Sequence, residues 1–216
     1  MLPLGSLRDP TAPLKILCLG AHCDDIEIGA GGTILQLLAG NRNLAVTWVV
    51  FSSNKERSQE ARSSAELFLK RAAKKETIIE NFRDGYFPFD GQKIKDFIET
   101  LKAISPDVVF THTRKDAHQD HRQICELTWN TFRNHLILEY EIPKYDGDMG
   151  QPNVFSPLEK DICTEKNRII LESFGSQQAK KWFSENTFFA LMRLRGMECN
   201  APSGYAEAFY GRKLLF

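Results

Sequence analysis

The stretch Leu14-Lys15-Ile16-Leu17-Cys18-Leu19-Gly20-Ala21-His22-Cys23-Asp24-Asp25-Ile26-Glu27-Ile28-Gly29-Ala30-Gly31-Gly32-Thr33 decides how the chain is read. Its first eight residues are a short, almost wholly apolar run that ends in small residues and passes directly into charge, as a strand buried on both faces of a parallel sheet does. Residues 29–38 then read as a helix with Ile34, Leu35, Leu37 and Leu38 on its buried face, closed by Gly40. Strand, polar turn and helix make the opening of a βαβ unit, and the alternation continues outward from it. Strands are expected at 44–51, 77–82, 107–111 and 136–142, with helices at 58–74, 94–104 and 120–134. That order predicts an α/β fold, a Rossmann-like, doubly wound and mostly parallel sheet flanked by helices, with strand order 3-2-1-4-5. The Pro/Gly/Asp-rich segment 143–157 reads as a functional loop. Helical patterns resume at 159–173 and 177–197, so 143–216 is expected to be a loop and a C-terminal helical and strand extension of a single domain spanning 1–216.

Bulk composition excludes several classes. Lys+Arg and Asp+Glu are both 28 among 216 residues, so there is no basic footprint of the kind that draws nucleic acid. No apolar run approaches the roughly 20 residues of a membrane span. The prolines at 3, 10 and 13 interrupt the start of the chain, which lacks the apolar core of a signal peptide. Five scattered cysteines without a Cys-x-x-Cys pair argue against a disulfide framework and for a reducing, cytoplasmic setting. A small-molecule partner is expected, and the apolar C-terminal third is compatible with a homo-oligomer.

In open α/β sheets ligands bind beyond the carboxyl ends of the strands. His22, Asp24 and Asp25 follow the first strand there, and His112, Asp116, His118, Asp120 and His121 follow the fourth, so four of the five histidines fall in two loops that this topology makes neighbours. Imidazole and carboxylate together suit zinc. His22, Asp25 and His121 supply three ligands and leave a fourth position for water, the pattern of catalytic zinc, whose water titrates near pH 7. Asp24, adjacent to a ligand and not needed as one, is the natural general base. His118 is placed to stabilise an oxyanion or protonate a departing amine, with Asp116 or Asp120 holding it in its charged form.

These residues carry a family resemblance. The segment Ala21 to Thr33 resembles the opening motif of the LmbE-like, or PIG-L, deacetylases. Pro106-Asp107-Val108-Val109-Phe110-Thr111-His112 with Asp116-Ala117-His118-Gln119-Asp120-His121-Arg122 resembles their second metal segment, and Tyr205-Ala206-Glu207-Ala208-Phe209 is similar to a closing signature of many bacterial members. The resemblance implies a zinc-dependent N-deacetylase acting on N-acetylglucosamine-type groups, with His22, Asp25 and His121 as ligands, Asp24 as base and His118 as electrostatic partner. By the same resemblance Arg57 contacts substrate hydroxyls or an anion. Two positions depart from the pattern: Cys23 stands where proline is usual, removing a fixed φ beside the metal, and Asp116 lies near a tyrosine of some members.

Several residues have plainer readings. His112, at a strand end, reads as structural, with a bond to a ligand as the alternative. Gly29, Gly31 and Gly32 read as close helix packing, since the spacing is not that of a phosphate loop and two aspartates precede them. Lys55 and Arg57 equally suit a solvated helix start. Tyr145, Asp146 and Asp148 suit turns as well as substrate contact. Trp182, Phe183, Phe188 and Phe189 read as core or subunit interface. Alternative functions are an amidase cleaving a thiol conjugate of an amino sugar, and a non-catalytic nucleotide-binding module. Fe²⁺, Co²⁺ or Mn²⁺ fit the same donors as Zn²⁺.

Overall fold

A computed structural model describes residues 13–40 and 43–214; the proline-punctuated start, up to residue 12, lies outside them. The chain runs β1 (Leu14–Gly20), α1 (Asp25–Ala39), β2 (Leu44–Val50), α2 (Lys55–Phe68), β3 (Lys74–Ile79), α3 (Gly91–Thr100), β4 (Val108–His112), α4 (Gln119–Thr131), β5 (Leu136–Tyr140), β6 (Val154–Pro157), α5 (Lys160–Ser173), α6 (Glu185–Glu198) and β7 (Ala206–Gly211). The strands form one sheet in the order 3-2-1-4-5-7-6. The expected 3-2-1-4-5 core is present, and its four pairings are all parallel. β7 then runs antiparallel to β5, and β6 antiparallel to β7. The stretch 143–157 is therefore a loop that ends in an edge strand.

Period-two alternation in β1 splits the core. Ile16 and Cys18 join Trp48, Phe68 and Ile169 on the face covered by α1, α2 and α5. Leu17 and Leu19 join Val109, Ile98 and Ile124 on the face covered by α3 and α4. Both sets are buried, which is why the strand reads as an unbroken apolar run.

Several boundaries differ from expectation, and four of the starts have a local reason. α1 begins at Asp25 and not at residue 29, because Asp25 and Glu27 sit in its first turn, where the helix dipole favours carboxylates. α2 begins at Lys55, where the Asn54 side chain accepts from Arg57 N–H at 2.9 Å, a cap that apolar spacing does not register. β3 starts earlier than 77 because it is an edge strand whose first three residues, Lys74 to Glu76, are exposed. α6 starts at Glu185 and not at 177, behind a cap in which Ser184 Oγ accepts from Thr187 N–H at 3.3 Å.

Close helix packing explains Gly29. A Cβ there would lie 2.2 Å from the Tyr140 ring of β5. That ring is buried and its hydroxyl donates to the Leu19 carbonyl at 2.7 Å. The approach brings the first turn of α1 down onto β1, β4 and β5. No helix among the described residues is long and apolar enough to cross a membrane.

Candidate metal centre

β1 and β4 are adjacent, so the turns that leave their carboxyl ends share one crevice. The first of these turns is tight: His22 N–H donates to Asp25 Oδ2 at 2.6 Å, and Ile28 N–H donates to the Asp24 carbonyl at 3.1 Å, closing the first turn of α1. The second ends at His118, the residue before α4, whose ring Nδ1 accepts from Asp120 N–H at 3.2 Å. His121 follows on the first turn of α4 and faces back toward β1.

His22, Asp25 and His121 come together. His22 Nδ1 lies 3.1 Å from His121 Nε2 and 3.3 Å from Asp25 Oδ2, and His121 Nε2 lies 3.5 Å from Asp25 Oδ2. Donors on a tetrahedron with metal bonds of about 2.0–2.1 Å are spaced by about 3.3–3.4 Å. The outward nitrogen of each ring is held by a carboxylate, His121 Nδ1 by Asp116 Oδ2 at 2.9 Å and His22 Nε2 by Asp84 Oδ1 at 3.0 Å. Those contacts place the ring protons on the outward nitrogens, as carboxylates behind ligating histidines do. Two bare imidazole lone pairs then face each other beside a carboxylate oxygen, an arrangement that repels itself until a cation or a proton sits among them. The donor set therefore fits a divalent ion.

The protonation balance agrees. Burial opposes the charging of His22, but Asp25 and hydrogen bonds to Asp120, Asp25 and Asp84 outweigh it and lift its pKa well above the usual imidazole value. Asp25, despite burial that works the other way, is held well below the carboxylate range by His121, His112 and His22. Hydrogen bonding from His22 draws Asp84 down to about 2. Without an ion, a proton on His22 takes the cation's place.

Asp24 and Asp25 point to different partners. Asp24 Oδ1 accepts from Arg57 Nη2 at 2.7 Å, and both side chains line the same cavity as the three donors. Arg57 is thus held in the cavity wall and is not a solvated helix start; Lys55, by contrast, is exposed. His118 also lines the cavity, but its expected carboxylate partners are engaged elsewhere. Asp116 Oδ1 accepts from His118 N–H at 2.8 Å, and its Oδ2 is on His121. The Asp120 carboxylate accepts from Gly85 N–H at 2.7 Å and Phe87 N–H at 3.2 Å and lies 3.5 Å from His22 Nε2. Burial, together with the charges of His121 and His22, pushes the His118 pKa down. The expectation of a charged His118 held by Asp116 or Asp120 gives way to a neutral ring, with Nδ1 capped by a backbone amide and the proton on Nε2. His118 also belongs with His22 and His121 to a group whose donor atoms lie within 4.8 Å of one another.

His112 sits behind the donors. Its Nε2 accepts from Ala21 N–H at 2.9 Å and lies 3.2 Å from Asp25 Oδ2, and its ring stacks on His121 with centroids 3.9 Å apart. The sequence reading passed over Asp84. Its signal is the Asp84-Gly85 pair after β3, at the same end of the sheet, with Gly85 at φ +76° and pinned by Asp120. Cys23 is fully buried and its thiol is pushed up to about 12 by burial, which leaves it an inert neighbour.

The cavity measures about 210 Å³. Its outer wall includes Lys144, Tyr145 and Asp146 from the long loop and Lys180 and Trp182 from the turn before α6. Asp148 instead shapes the loop, accepting from Ala117 N–H and Lys144 Nζ at 2.6 Å each. Phe183 and Phe188 are core residues, and Phe189 packs on Tyr205 with ring centroids 5.9 Å apart.

The sequence profile of a protein family, PIG-L, described as GlcNAc-PI de-N-acetylase, matches residues 17–132. An Escherichia coli (strain K12) protein named uncharacterized deacetylase YaiS is 29% identical over 168 residues, covering 70% of this chain and 85% of that protein. The N,N'-diacetylchitobiose deacetylase of Pyrococcus horikoshii shares the fold with a TM-score of 0.70 at 22% identity, over 92% of this chain and 83% of that one. GalB of Pseudomonas putida KT2440, a 4-carboxy-2-hydroxymuconate hydratase, shares it with a TM-score of 0.71 at 16% identity, over 94% and 98%. The same fold thus serves more than one reaction, and the fold alone does not choose between them.

Proposed function

The chain belongs to the PIG-L, GlcNAc-PI de-N-acetylase family, and from that premise we propose that it is a zinc-dependent N-deacetylase that releases acetate from an N-acetylglucosamine-type sugar or sugar conjugate. The observation that carries the reading is the His22, Asp25 and His121 donor set, with edges of 3.1, 3.3 and 3.5 Å and a carboxylate behind each ring. A zinc ion bound there supplies a water acidified toward pKa ~7 and a Lewis acid for the amide carbonyl. Fe²⁺, Co²⁺ and Mn²⁺ offer the same chemistry to the same donors.

The protein's own groups do the rest. Asp24 accepts the proton of the attacking water as its oxygen adds to the acetyl carbon. Arg57, on Asp24 Oδ1 at 2.7 Å, fixes that carboxylate and leaves its other oxygen for the water. His118 presents Nε2–H to the cavity as a hydrogen bond to the developing oxyanion, and the proton that Asp24 took from the water passes to the amine as the C–N bond breaks. Acetate and a free amino sugar result. The 210 Å³ cavity is below the roughly 300–1,000 Å³ of clefts that take drug-sized ligands. That size supports a small acyl group on one sugar ring over the larger conjugate of an amidase.

Purified protein is expected to bind about one zinc per chain and to release acetate from N-acetylglucosaminides. Asp24→Asn is expected to keep the metal and lose turnover by about 10²–10⁴-fold, the usual worth of a positioned general base. A metal-replete Asp24→Asn protein with full activity would sink the mechanism, and a chain that binds no divalent ion would sink the reading itself.

A further inference from the structure

The closing segment Tyr205 to Phe209 brings no side chain to the cavity, yet Glu207 reaches α1 from the far side. Gly32 N–H donates to Glu207 Oε1 and Thr33 N–H to Glu207 Oε2, each at 2.7 Å. Lys166 of α5 donates from Nζ to the Ile28 carbonyl and to Glu207 Oε1, again at 2.7 Å each. In a regular helix Gly32 N–H would serve the Ile28 carbonyl and Thr33 N–H the Gly29 carbonyl. Here a carboxylate also accepts from the two donors and an ammonium also donates to the Ile28 carbonyl, so a buried ion pair is anchored on the backbone of α1, which runs unbroken from Asp25 to Ala39. Gly32 makes the approach feasible, because a Cβ at that position would lie 2.8 Å from Glu207 Oε1.

The ion pair meets α1 directly beyond the turn that matters. Ile28 N–H closes on the Asp24 carbonyl, so Asp24 to Ile28 form a unit that carries the candidate base and the candidate anionic ligand. Lys166 grips the Ile28 end of that turn, Glu207 grips Gly32 and Thr33 on the next, and the pair clamps the two turns together. Lys166 and Glu207 are only 2% and 5% exposed. A buried ion pair returns little net stability over apolar residues of similar size, because both charges must be desolvated. Geometry is what it supplies.

Resting on the metal reading above, we propose that Lys166 and Glu207 are positioning residues for the metal centre, splinting the first turn of α1 so that Asp25 meets His22 and His121 at bonding distance. Neither touches the cavity, and they act through the backbone of Ile28, Gly32 and Thr33.

Zinc affinity of metal-stripped protein, measured by chelator competition beside a thermal melt, tests this. Glu207→Gln replaces one acceptor with a donor that faces an N–H, and Lys166→Met removes the grip on Ile28. Both are expected to weaken zinc binding by about 10–100-fold, as loss of a residue that orients ligands does. Ile98→Ala, in the core on the opposite face of the sheet, is the control: it lowers the melting temperature and leaves zinc affinity unchanged. Folded variants that bind zinc as tightly as the wild type, or that lose no more affinity than the control, overturn the proposal. Wild-type protein gives a second reading that needs no variant. By reciprocity of coupling, zinc is expected to slow hydrogen exchange at the Gly32 and Thr33 amides, and unaltered exchange there overturns the proposal too. Absence of zinc binding by the wild type would instead fail the metal reading on which it rests.

Discussion

Asp116→Asn tests how much of the metal centre depends on a residue that is not itself a donor. The carboxylate is 1% exposed and meets His121 Nδ1 at 2.9 Å, His118 N–H at 2.8 Å and Lys144 Nζ at 3.0 Å. An amide can serve His118 or His121 through its one oxygen, but its NH₂ must then face a donor. His121 then loses the contact that keeps its proton on Nδ1 and its Nε2 lone pair toward the ion. Loss of such a partner costs 10–100-fold in metal affinity, or about 1.4–2.7 kcal/mol. Stability falls separately by about 1–3 kcal/mol for the donor left unsatisfied. Lys144 keeps Asp148 Oδ2 at 2.6 Å and adds little to that loss. The assay is zinc titration of chelator-stripped protein against a competing chelator of known affinity, at a temperature where circular dichroism shows both proteins folded. A folded Asp116→Asn protein within about twofold of wild-type affinity would show that Asp116 does not set the ligand state of His121, and the donor geometry would need another explanation.

Three further outcomes follow from the same structure. His22 has a raised pKa in the metal-free protein, so protons compete with the ion there: zinc affinity is expected to keep rising with pH beyond the ordinary imidazole value of 6.5. The sign for stability is the reverse, since a raised folded pKa contributes stability present below about 6.5 and lost as pH rises through the folded value; metal-free melting temperatures that climb over that window would contradict it. Gly29→Ala drives a methyl to within 2.2 Å of the Tyr140 ring, which is buried and tied to Leu19; overpacking of that size costs about 3 kcal/mol, a melting point lower by roughly 6–12 °C, checked by calorimetry. All five cysteines are buried and unpaired, and with a pKa of about 12 the Cys23 thiol holds about one part in ten thousand thiolate at pH 8. Iodoacetamide should leave native protein unmodified by mass spectrometry and label five sites after unfolding, and rapid native labelling of Cys23 would show the turn to be open.

The sheet core was legible because β1, β2, β4 and β5 are apolar on both faces, and such runs mean strands in parallel sheets whatever lies around them. The His22, Asp25 and His121 convergence followed from topology, since the ends of β1 and β4 are adjacent. What escaped was settled by contacts remote in sequence. Asp84 lies 62 residues from His22, and nothing in the Asp84-Gly85 pair distinguishes a residue that orients an imidazole from any other turn. β3 was placed late because an exposed edge strand carries charge where pattern rules seek apolar residues. For His118 the spacing did not discriminate, because Asp116 and Asp120 each lie two residues from it. The backbone amides of Gly85 and Phe87 take the carboxylate of Asp120, and no sequence pattern shows that.

Arg57 makes a contact that residue type alone does not show. An arginine near an active site reads as a substrate arm because guanidinium is the usual partner of anions and sugar hydroxyls. Here its nearest anion is Asp24, at 2.7 Å in a half-buried setting. A guanidinium there fixes the orientation of the carboxylate and leaves its other oxygen for the water of the proposed reaction. The Arg57–Asp24 pair, the three donors and the carboxylates behind them therefore fit the proposed chemistry together, because orientation is what Arg57 supplies to Asp24, Asp116 to His121 and Asp84 to His22.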